Sequence, residues 1–400
     1  MILQHKPALH LTYCLNIHPG ESWADNFAAI KDKAVAVKQR VAPDQWFGLG
    51  LRIAHHAAVR LSSDTALMNE ARDYFAEQQL YPFSINGFPY GRFHRGPVKE
   101  RVYEPDWRTP ERRDYTIQLA DIFTHFLPPE IDGSISTVPC SFKPWITNEE
   151  DKFLMARNLA AVVAYLAAIH DDTGQEIHLG LEPEPDCYLE TSAEMIAFYK
   201  DALLMAGVSE VARIVGCTRA QAEELMRRHC GVCFDTCHVA LQFEDLVEAW
   251  RAYRDAGVRI SKVQLSAALS APSNPETWAA LRGFDERVYL HQVKAVASSG
   301  ARIAWYDLPE ALEEMPGFPD IEEVRVHFHV PLFMPTVGPL SSTSDALTPE
   351  FFHELRSGAC SHLEIETYTF DVLPEQFNPG DVVKSIAREF SWVLSRLEGH

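Results

Sequence analysis

The sequence predicts an α/β protein that folds as one (β/α)₈ TIM barrel with a long insertion before its last strand. Short apolar, strand-like runs alternate with amphipathic helical runs along the chain, as parallel βαβ units do. The first strand is not followed by the glycine-rich phosphate turn of an open doubly wound sheet, since residues 16–20 read Asn-Ile-His-Pro-Gly. No linker or low-complexity stretch divides the 400 residues, so we expect a single domain over 1–400.

The predicted elements follow one another in a regular order. The strands are expected at 9–17, 46–53, 81–85, 133–138, 177–182, 231–236, 260–266 and 363–368. The helices are expected at 23–41, 64–79, 110–126, 149–169, 193–204, 219–229, 245–256 and 380–397. Eight strands in this alternation favour a barrel over an open sheet.

One region interrupts the alternation. Nearly a hundred residues separate the seventh predicted strand from the last, and strand-like runs occur there at 287–293, 301–306 and 324–332. We interpret approximately 267–345 as an insertion over the barrel mouth. In the alternative interpretation 324–330 is itself a barrel strand, followed by a helix over 349–356 that Thr348 caps and Pro349 begins. That alternative gives nine candidates for eight places, and the sequence leaves it open.

Composition limits the partners of the protein. With 36 Lys and Arg against 56 Asp and Glu, the net charge is −20, which disfavours binding to nucleic acid or to an anionic membrane. Residues 1–20 lack a signal-peptide pattern, and the longest apolar run, 159–169, is too short to span a bilayer. Eight cysteines in 400 residues do not form a disulfide scaffold, so we expect a cytoplasmic protein without membrane insertion. The oligomeric state is not predictable.

The motif with the clearest chemistry is Gly-Val-Cys-Phe-Asp-Thr-Cys-His over 231–238. An apolar strand ends at Asp235, and His238 follows on the next turn. Because strand ends converge at a barrel mouth, both side chains can reach one cation. In the alternative interpretation Asp235 caps the next helix and His238 lies on its surface. Cys230, Cys233 and Cys237 lack the second C-x-x-C pair that a structural zinc site would need.

This octapeptide resembles the signature of the endonuclease IV family, which belongs to the xylose isomerase-like (AP endonuclease family 2) TIM barrels. The resemblance implies that Asp235 and His238 bind or neighbour a metal ion, and that glutamates end the fifth and eighth strands. Glu182 and Glu184 are two residues apart, as are Glu364 and Glu366, so each pair shares a strand face. We favour Glu182 because prolines follow it, and Glu366 because it is nearer its strand end and precedes a threonine. In the alternative interpretation one glutamate of each pair faces solvent and the other forms a salt bridge.

The seventh strand departs from the family pattern. The resemblance implies a histidine ligand there, but this chain has Gln264, whose amide oxygen is a weak ligand. Insertion histidines are possible replacements: His291, His327 and His329, the last two on one strand face. The expected cofactor is a divalent ion, Mn²⁺ or Zn²⁺ with Mg²⁺ as a further candidate. The expected metal ligands are Glu182, Asp235, His238, Gln264 and Glu366.

Two loops at strand ends are candidates for binding a small molecule. The segment 86–94 reads Asn-Gly-Phe-Pro-Tyr-Gly-Arg-Phe-His after the third strand, and residues 16 and 18 end the first. In the alternative interpretation the aromatic loop is a surface turn that covers the core. The candidate substrate-binding residues are Asn16, His18, Asn86, Phe88, Tyr90 and His329.

The aromatic loop, the His-x-His-x-Pro segment at 327–331 and the Glu-x-Glu-Thr-Tyr-Thr segment at 364–369 together resemble the subgroup called metabolite traffic protein EboE. That resemblance implies a small-molecule role without an established reaction. The first hypothesis is therefore a metal-dependent sugar isomerase or epimerase acting on a small polyhydroxy or carbonyl metabolite. In it Glu182 or Glu366 is the catalytic base and His238 orients a substrate oxygen. The alternative is a non-catalytic metabolite-binding or traffic protein, and the least favoured is an endonuclease IV-like phosphodiesterase.

Overall fold

A computed structural model describes residues 1–93, 98–370, 372–374 and 380–398. Eight parallel strands form the barrel; in chain order, first to eighth, they are Ala8–Tyr13, Phe47–Arg52, Leu80–Asn86, Gly133–Thr137, Ile177–Leu181, Cys230–Asp235, Arg259–Leu265 and His362–Ile365. The eighth strand pairs with the first and the seventh, and the second pairs with the third. A further short strand, Ile2–His5, pairs antiparallel with the first. The predicted α/β barrel with an insertion before its last strand is confirmed.

The barrel is nearly closed between the first and second strands. They approach through a parallel bridge between Cys14 and Gly50. A Cβ atom at Gly50 would lie 2.0 Å from Oε1 of Glu364 on the eighth strand and 3.0 Å from the carbonyl oxygen of Tyr13. Only a residue without a side chain lets these strands approach so closely.

Helices surround the barrel. They are Trp23–Ala29, which continues through a π segment into Val35–Val41, then His55–Ser62, Thr65–Glu77, Pro110–Phe126, Glu150–Thr173, Ser192–Phe198, which continues through a π segment into Val208–Val215, Arg219–His229, Thr236–Leu241, Leu246–Asp255, Pro349–Leu355 and Val382–Leu397. The predicted helices are all found near their expected positions. His55–Ser62 and Thr236–Leu241 were not predicted, because each is too short to carry a clear helical period.

One helix, Glu150–Thr173, is long and apolar enough to cross a membrane by length and composition. In the structure 61% of its most apolar window is buried. It packs against the fifth strand and the neighbouring outer helices. Its apolar residues therefore serve the barrel core.

The insertion forms an antiparallel sheet of its own. Its strands are Ala268–Pro272, Val293–Ala297, Arg302–Trp305, Ile321–His329, Thr336–Val337 and Leu340–Ser342, and it also carries the helices Pro275–Leu281 and Leu308–Glu314. The alternative that made 324–330 a barrel strand is therefore wrong, since this segment pairs antiparallel with Ala268–Pro272 and Val293–Ala297. The predicted helix after Thr348 nevertheless exists, as Pro349–Leu355.

Three predicted strands were displaced or too long. The run 287–293 is a loop that ends at the strand Val293–Ala297, and its apolar Tyr289 and Leu290 line a cavity instead. The first strand stops at Tyr13 and gives way to a 3₁₀ turn, Leu15–Ile17, whose residues are buried. The eighth strand stops at Ile365. An apolar run alone does not distinguish a strand from a buried loop.

Candidate functional site

Three carboxylates meet at the mouth of the barrel, and we call Glu182, Asp235 and Glu366 the carboxylate cluster. Glu182 follows the fifth strand, Asp235 ends the sixth and Glu366 follows the eighth. One oxygen of each lies within 4.8 Å of the others, and no member is more than 4% exposed. Parallel strands with a common carboxyl end bring these residues together, as the sequence predicted.

Burial makes three negative charges at this spacing unfavourable. Burial raises the pKa of Glu182 well above its usual range, and the charges of Glu366 and Asp235 raise it further. Burial likewise raises the pKa of Glu366, with the charge of Asp235 as the next cause. For Asp235 burial acts in the same upward direction, but electrostatic interaction with the neighbouring His238 and His329 and a Ser266 hydrogen bond leave its pKa below the usual value.

Asp235 performs two tasks with its two oxygens. Its Oδ1 accepts hydrogen bonds from the backbone N of Cys237 at 2.8 Å, the backbone N of His238 at 3.1 Å and Oγ of Ser266 at 2.7 Å. This is an N-cap of the helix Thr236–Leu241. Its Oδ2 faces the carboxylate cluster, 3.3 Å from Nε2 of Gln264. The capping and metal interpretations of this motif are therefore compatible.

Among the described residues, the side chains that donate to the cluster are uncharged: the hydroxyl of Ser266 donates to Asp235, and the other donors are amides. Nε2 of Gln264 contacts Oε1 of Glu182 at 3.2 Å and Oε2 of Glu366, in addition to Asp235. Nδ2 of Asn16 and of Asn86 donates to Oε1 of Glu366, at 2.6 and 3.2 Å. Within the described residues no lysine or arginine forms an ion pair with the three carboxylates, and Oε2 of Glu182 has no hydrogen-bond partner.

Three buried histidines, His238, His327 and His329, lie beside the cluster, and we call them the imidazole trio. Their ring centroids are 4.8 to 6.0 Å apart. Nδ1 of His238 faces the carbonyl of Pro183 at 3.0 Å, and Nδ1 of His329 faces the carbonyl of Glu366 at 2.8 Å. A carbonyl only accepts, so both Nδ1 atoms carry hydrogen and both neutral rings present an Nε2 lone pair.

His327 has the same tautomer for a different reason. Its Nδ1 lies 2.7 Å from Oε1 of Gln292, whose Nε2 donates to the carbonyl of Pro185 at 3.0 Å and so fixes the amide orientation. Nε2 of His327 and Nε2 of His238 then face each other at 3.1 Å as two lone pairs. Nε2 of His329 is buried without a hydrogen-bond partner among the described residues. Two facing lone pairs need a shared proton or cation between them.

Burial keeps these imidazoles neutral. It lowers the pKa of His238, lowers that of His327 well below its usual range and lowers that of His329 to about 4. Neutral imidazole is the form that binds transition metals. Asp235, His238 and His329 present ligand atoms within 4.8 Å of one another, as do the carboxylates, so Asp235 belongs to both sets.

The structure separates the members of each glutamate pair. Glu364 lies deeper in the barrel, where its Oε2 contacts Nζ of Lys262, and both side chains are fully buried. Glu184 accepts a hydrogen bond from Oη of Tyr103 at 2.9 Å, and burial raises its pKa to about 8. None of the four glutamates faces solvent, so that part of the alternative interpretation is wrong, while its salt bridge exists at Glu364.

A cavity of about 60 Å³ opens above the cluster. Its lining residues are Asn16, Asn86, Phe88, Pro89, Phe93, Val98, Lys99, Val102, Tyr103, Glu182, Glu184, His238, Tyr289, Leu290, His327, Glu366 and Tyr368. Sequence reasoning identified Asn16, Asn86 and Phe88 here but missed the aromatic residues contributed by distant segments. Apolar residues just outside strands were the only signal for them.

Several candidate binding residues lie elsewhere. Nε2 of His18 contacts Oη of Tyr13 at 2.9 Å, and His18 does not line the cavity. Tyr90 stacks on His55 with centroids 4.4 Å apart and lines a neighbouring surface depression instead. His291 contacts Glu286 at 2.8 Å and the carbonyl of His327 at 2.7 Å, so it supports the trio from behind. His94 lies outside the described residues.

No protein-family profile matches the chain, and no curated protein matches it. Solved structures similar to it include the probable 3-DHS dehydratase AsbF of Bacillus anthracis, at 12% identity and a TM-score of 0.47, covering 97% of this chain and 98% of that one. They include the IOLI protein with a bound zinc atom, at 12% identity and a TM-score of 0.42, covering 98% of this chain and 100% of that one. A third is a xylose isomerase-like TIM barrel protein from Mycobacterium smegmatis in complex with magnesium. It has 12% identity and a TM-score of 0.45, and the match covers 92% of this chain and 90% of that one. These likenesses are too distant to transfer a ligand or reaction, and the EboE resemblance stays a prediction.

Proposed function

We propose that the protein holds a divalent metal ion at the carboxylate cluster and isomerises or epimerises a small polyhydroxy or carbonyl metabolite there. The observation that carries this proposal is the unbalanced charge of the cluster. Three buried carboxylates share one site whose side-chain donors among the described residues are uncharged amides and one hydroxyl, and such a set is costly unless a cation joins it.

The donor atoms fit a transition metal. Glu182 and Glu366 offer carboxylate oxygens, Asp235 offers Oδ2, and His238 and His329 offer Nε2 lone pairs. Mixed oxygen and imidazole ligands suit Mn²⁺ or Zn²⁺, and Mg²⁺ is a weaker match. Gln264 would contribute its amide oxygen after a flip, since its Oε1 now accepts from Sγ of Cys233 at 2.7 Å.

A bound divalent ion would act as a Lewis acid that polarises a substrate carbonyl. The chain supplies the other parts of the reaction. Glu182 and Glu366 line the cavity from different strands, and either carboxylate can take a proton from the carbon beside that carbonyl. The amides of Asn16 and Asn86 hold Glu366 in place. Tyr289 and Leu290 of the insertion limit access of water.

A second candidate is a metabolite-binding or traffic protein without turnover. It is favoured by Gln264, whose Nε2 contacts all three carboxylates, so that its two hydrogens can bridge them without a cation. In this case the site would bind ligand oxygens by hydrogen bonds and need no metal. The two candidates therefore differ in whether ligand binding depends on a divalent ion.

The deciding experiment is hydrogen exchange in D₂O. Metal-loaded protein is incubated with keto- and aldo-sugars and small α-hydroxy ketones, and exchange of the hydrogen beside the carbonyl is followed by NMR. We expect exchange on at least one compound and its loss in Glu366→Gln and after chelation. Glu313→Gln, an exposed glutamate on the insertion, is the matched control. Binding at the metal without exchange contradicts the isomerase and supports the binding protein.

We also propose that the protein acts in the cytoplasm on a small molecule, without a nucleic-acid or membrane partner. All eight cysteines are free, as in a reducing compartment. Nanomolar binding to abasic duplex DNA at physiological salt, or incision that Glu182→Gln abolishes, would contradict this and favour the phosphodiesterase.

A further inference from the structure

We infer that the cavity selects a two-ended ligand, with adjacent oxygens at the carboxylate cluster and an uncharged apolar ring above it, over a sugar hydroxylated on all sides. The inference rests on the proposed function, since the oxygen-bearing end is the α-hydroxy carbonyl group that would react. It adds the chemical class of the rest of the molecule, which the cavity walls determine.

Five aromatic side chains line the cavity, and we call Phe88, Phe93, Tyr103, Tyr289 and Tyr368 the aromatic wall. Phe93, Tyr289 and Tyr368 pack on one another, with ring centroids 5.1 to 5.4 Å apart. They come from the loop after the third strand, from the insertion and from the loop after the eighth strand. Three separate segments therefore meet to build a continuous aromatic surface.

Aliphatic residues extend this wall. Pro89, Val98, Val102 and Leu290 line the same cavity and add no polar side-chain atom. Nine of the seventeen lining residues are thus aromatic or aliphatic, and the tyrosine Oη of Tyr103 is occupied by Glu184. A ligand hydroxyl placed against Phe88, Phe93 or these aliphatic residues would lose its water without a side-chain partner in return, which is unfavourable.

The polar lining residues contact one another around the carboxylate cluster. Asn16 and Asn86 contact Glu366, which shares the carboxylate cluster with Glu182. His238 contacts His327, whose neighbour across the cavity edge is Glu184, with Nδ1 to Oε1 at 3.9 Å. Donors and acceptors for ligand oxygens therefore occur together at the carboxylate cluster.

The described lining also disfavours an anionic ligand. Its one cation, Lys99, contacts Oδ2 of Asp307 at 2.5 Å, so its charge is already balanced. Against it stand the carboxyl groups of Glu182, Glu184 and Glu366. Together with Asp235 these acidic groups outnumber the charge of one divalent ion, so a phosphate or carboxylate would find no free cationic side chain among the described lining residues, whereas a neutral ring needs none.

The test compares three compounds with metal-loaded, full-length protein by calorimetric titration. 2-Hydroxyacetophenone and hydroxyacetone carry the same α-hydroxy ketone and differ only in a phenyl or a methyl group, and D-xylulose carries hydroxyls throughout. We expect 2-hydroxyacetophenone to bind at least about tenfold more tightly than either, because ring burial on the aromatic wall adds to the shared contacts. Tyr289→Ala should abolish the preference, Tyr289→Phe should keep it, and Phe318→Ala, an exposed aromatic away from the cavity, should not change it.

The outcomes separate this inference from the proposed function. Binding of 2-hydroxyacetophenone no tighter than of hydroxyacetone or D-xylulose, including no detectable binding, overturns the inference. If Tyr289→Ala still prefers 2-hydroxyacetophenone, the aromatic wall is not the source of the preference, which also overturns the inference. Hydrogen exchange on D-xylulose with no ring preference leaves the isomerase standing without the inference. A ring preference without exchange on any compound supports the inference and contradicts turnover.

Discussion

Two buried histidine–carboxylate sets lie at opposite ends of this barrel, and they differ in how their charge is balanced. At the amino ends of the strands, Asp132 contacts Nε2 of His178 at 3.1 Å, Nε2 of His362 at 3.3 Å and the guanidinium of Arg259 at 2.9 Å. We call these four residues the floor cluster. Its one carboxylate contacts a full cation, Arg259, which also contacts Glu176, whereas the carboxylate cluster at the mouth has three carboxylates and no such cation among the described residues.

The middle of the barrel repeats the floor arrangement. Glu364 is paired with Lys262, and Oγ of Ser84 donates to the same carboxylate at 2.9 Å. A polar barrel interior is therefore not by itself a functional site. What distinguishes the mouth is that, among the described residues, no lysine or arginine forms an ion pair with its three carboxylates.

The largest expected effect tests the balanced region. Lys262→Met leaves Glu364 buried without a cation, and should lower the free energy of unfolding by about 3–5 kcal/mol. Urea denaturation measures this. Lys262→Met combined with Glu364→Gln should recover part of the loss, because the unpaired charge is then gone. If Lys262→Met alone lowers the free energy of unfolding by less than about 1 kcal/mol, Lys262 does not neutralise the charge of Glu364.

The next effect separates the mouth from the floor. A divalent ion at about 100 times its Kd should stabilise the protein by about 2.7 kcal/mol. Asp235→Asn should abolish this stabilisation, while Asp132→Asn should lower the starting stability and keep the response to metal. Thermal unfolding with and without Mn²⁺ or Zn²⁺ measures the starting stability of each variant and its stabilisation by metal. If the floor variant lost the response instead, the assignment of the two ends would be reversed.

A smaller effect is expected at the strand position that departs from the family pattern. Gln264→His replaces an amide that contacts all three carboxylates with an imidazole, and should tighten metal binding by about tenfold. Calorimetric titration of the apoprotein measures it. Unchanged or weaker binding would indicate that residue 264 does not ligate the metal.

The smallest effect concerns pH at the floor. Burial lowers the pKa of His178 to about 3, while the unfolded chain has a histidine pKa of about 6.5. The unfolded state therefore binds the extra proton first as pH falls, so stability decreases on acidification between these values. From pH 7 to 6 the loss should be about 0.7 kcal/mol, and His178→Gln should remove it from the pH profile of unfolding. An identical profile in this variant would contradict a neutral buried His178.

The sequence predicted the residues whose position depends on the strands alone. Glu182, Asp235 and Glu366 end or follow strands, and a parallel barrel brings such ends together wherever the loops go. It also placed the insertion before the last strand. That the chain behaves as one domain, and that the predicted site residues have their expected roles, stay predictions.

The remaining features depend on tertiary packing that no local pattern encodes. Tyr289 and Leu290 have the composition of a strand but line the cavity, because a buried loop and a strand need the same apolar residues. Tyr90 belongs to an aromatic loop that was expected to bind ligand, yet its ring stacks on His55. The lone pairs of the imidazole trio follow from hydrogen bonds to distant carbonyls and to Gln292.

The central claim is that the mouth is completed by a divalent ion, and elemental analysis of the purified protein tests it most directly. We predict about one equivalent or more of Mn or Zn per chain in the wild type, retained in Asp132→Asn and lost in Asp235→Asn while both variants stay folded by circular dichroism. A wild-type protein that contains no divalent metal, and whose unfolding temperature does not change on adding Mn²⁺, Zn²⁺ or Mg²⁺, would contradict the claim.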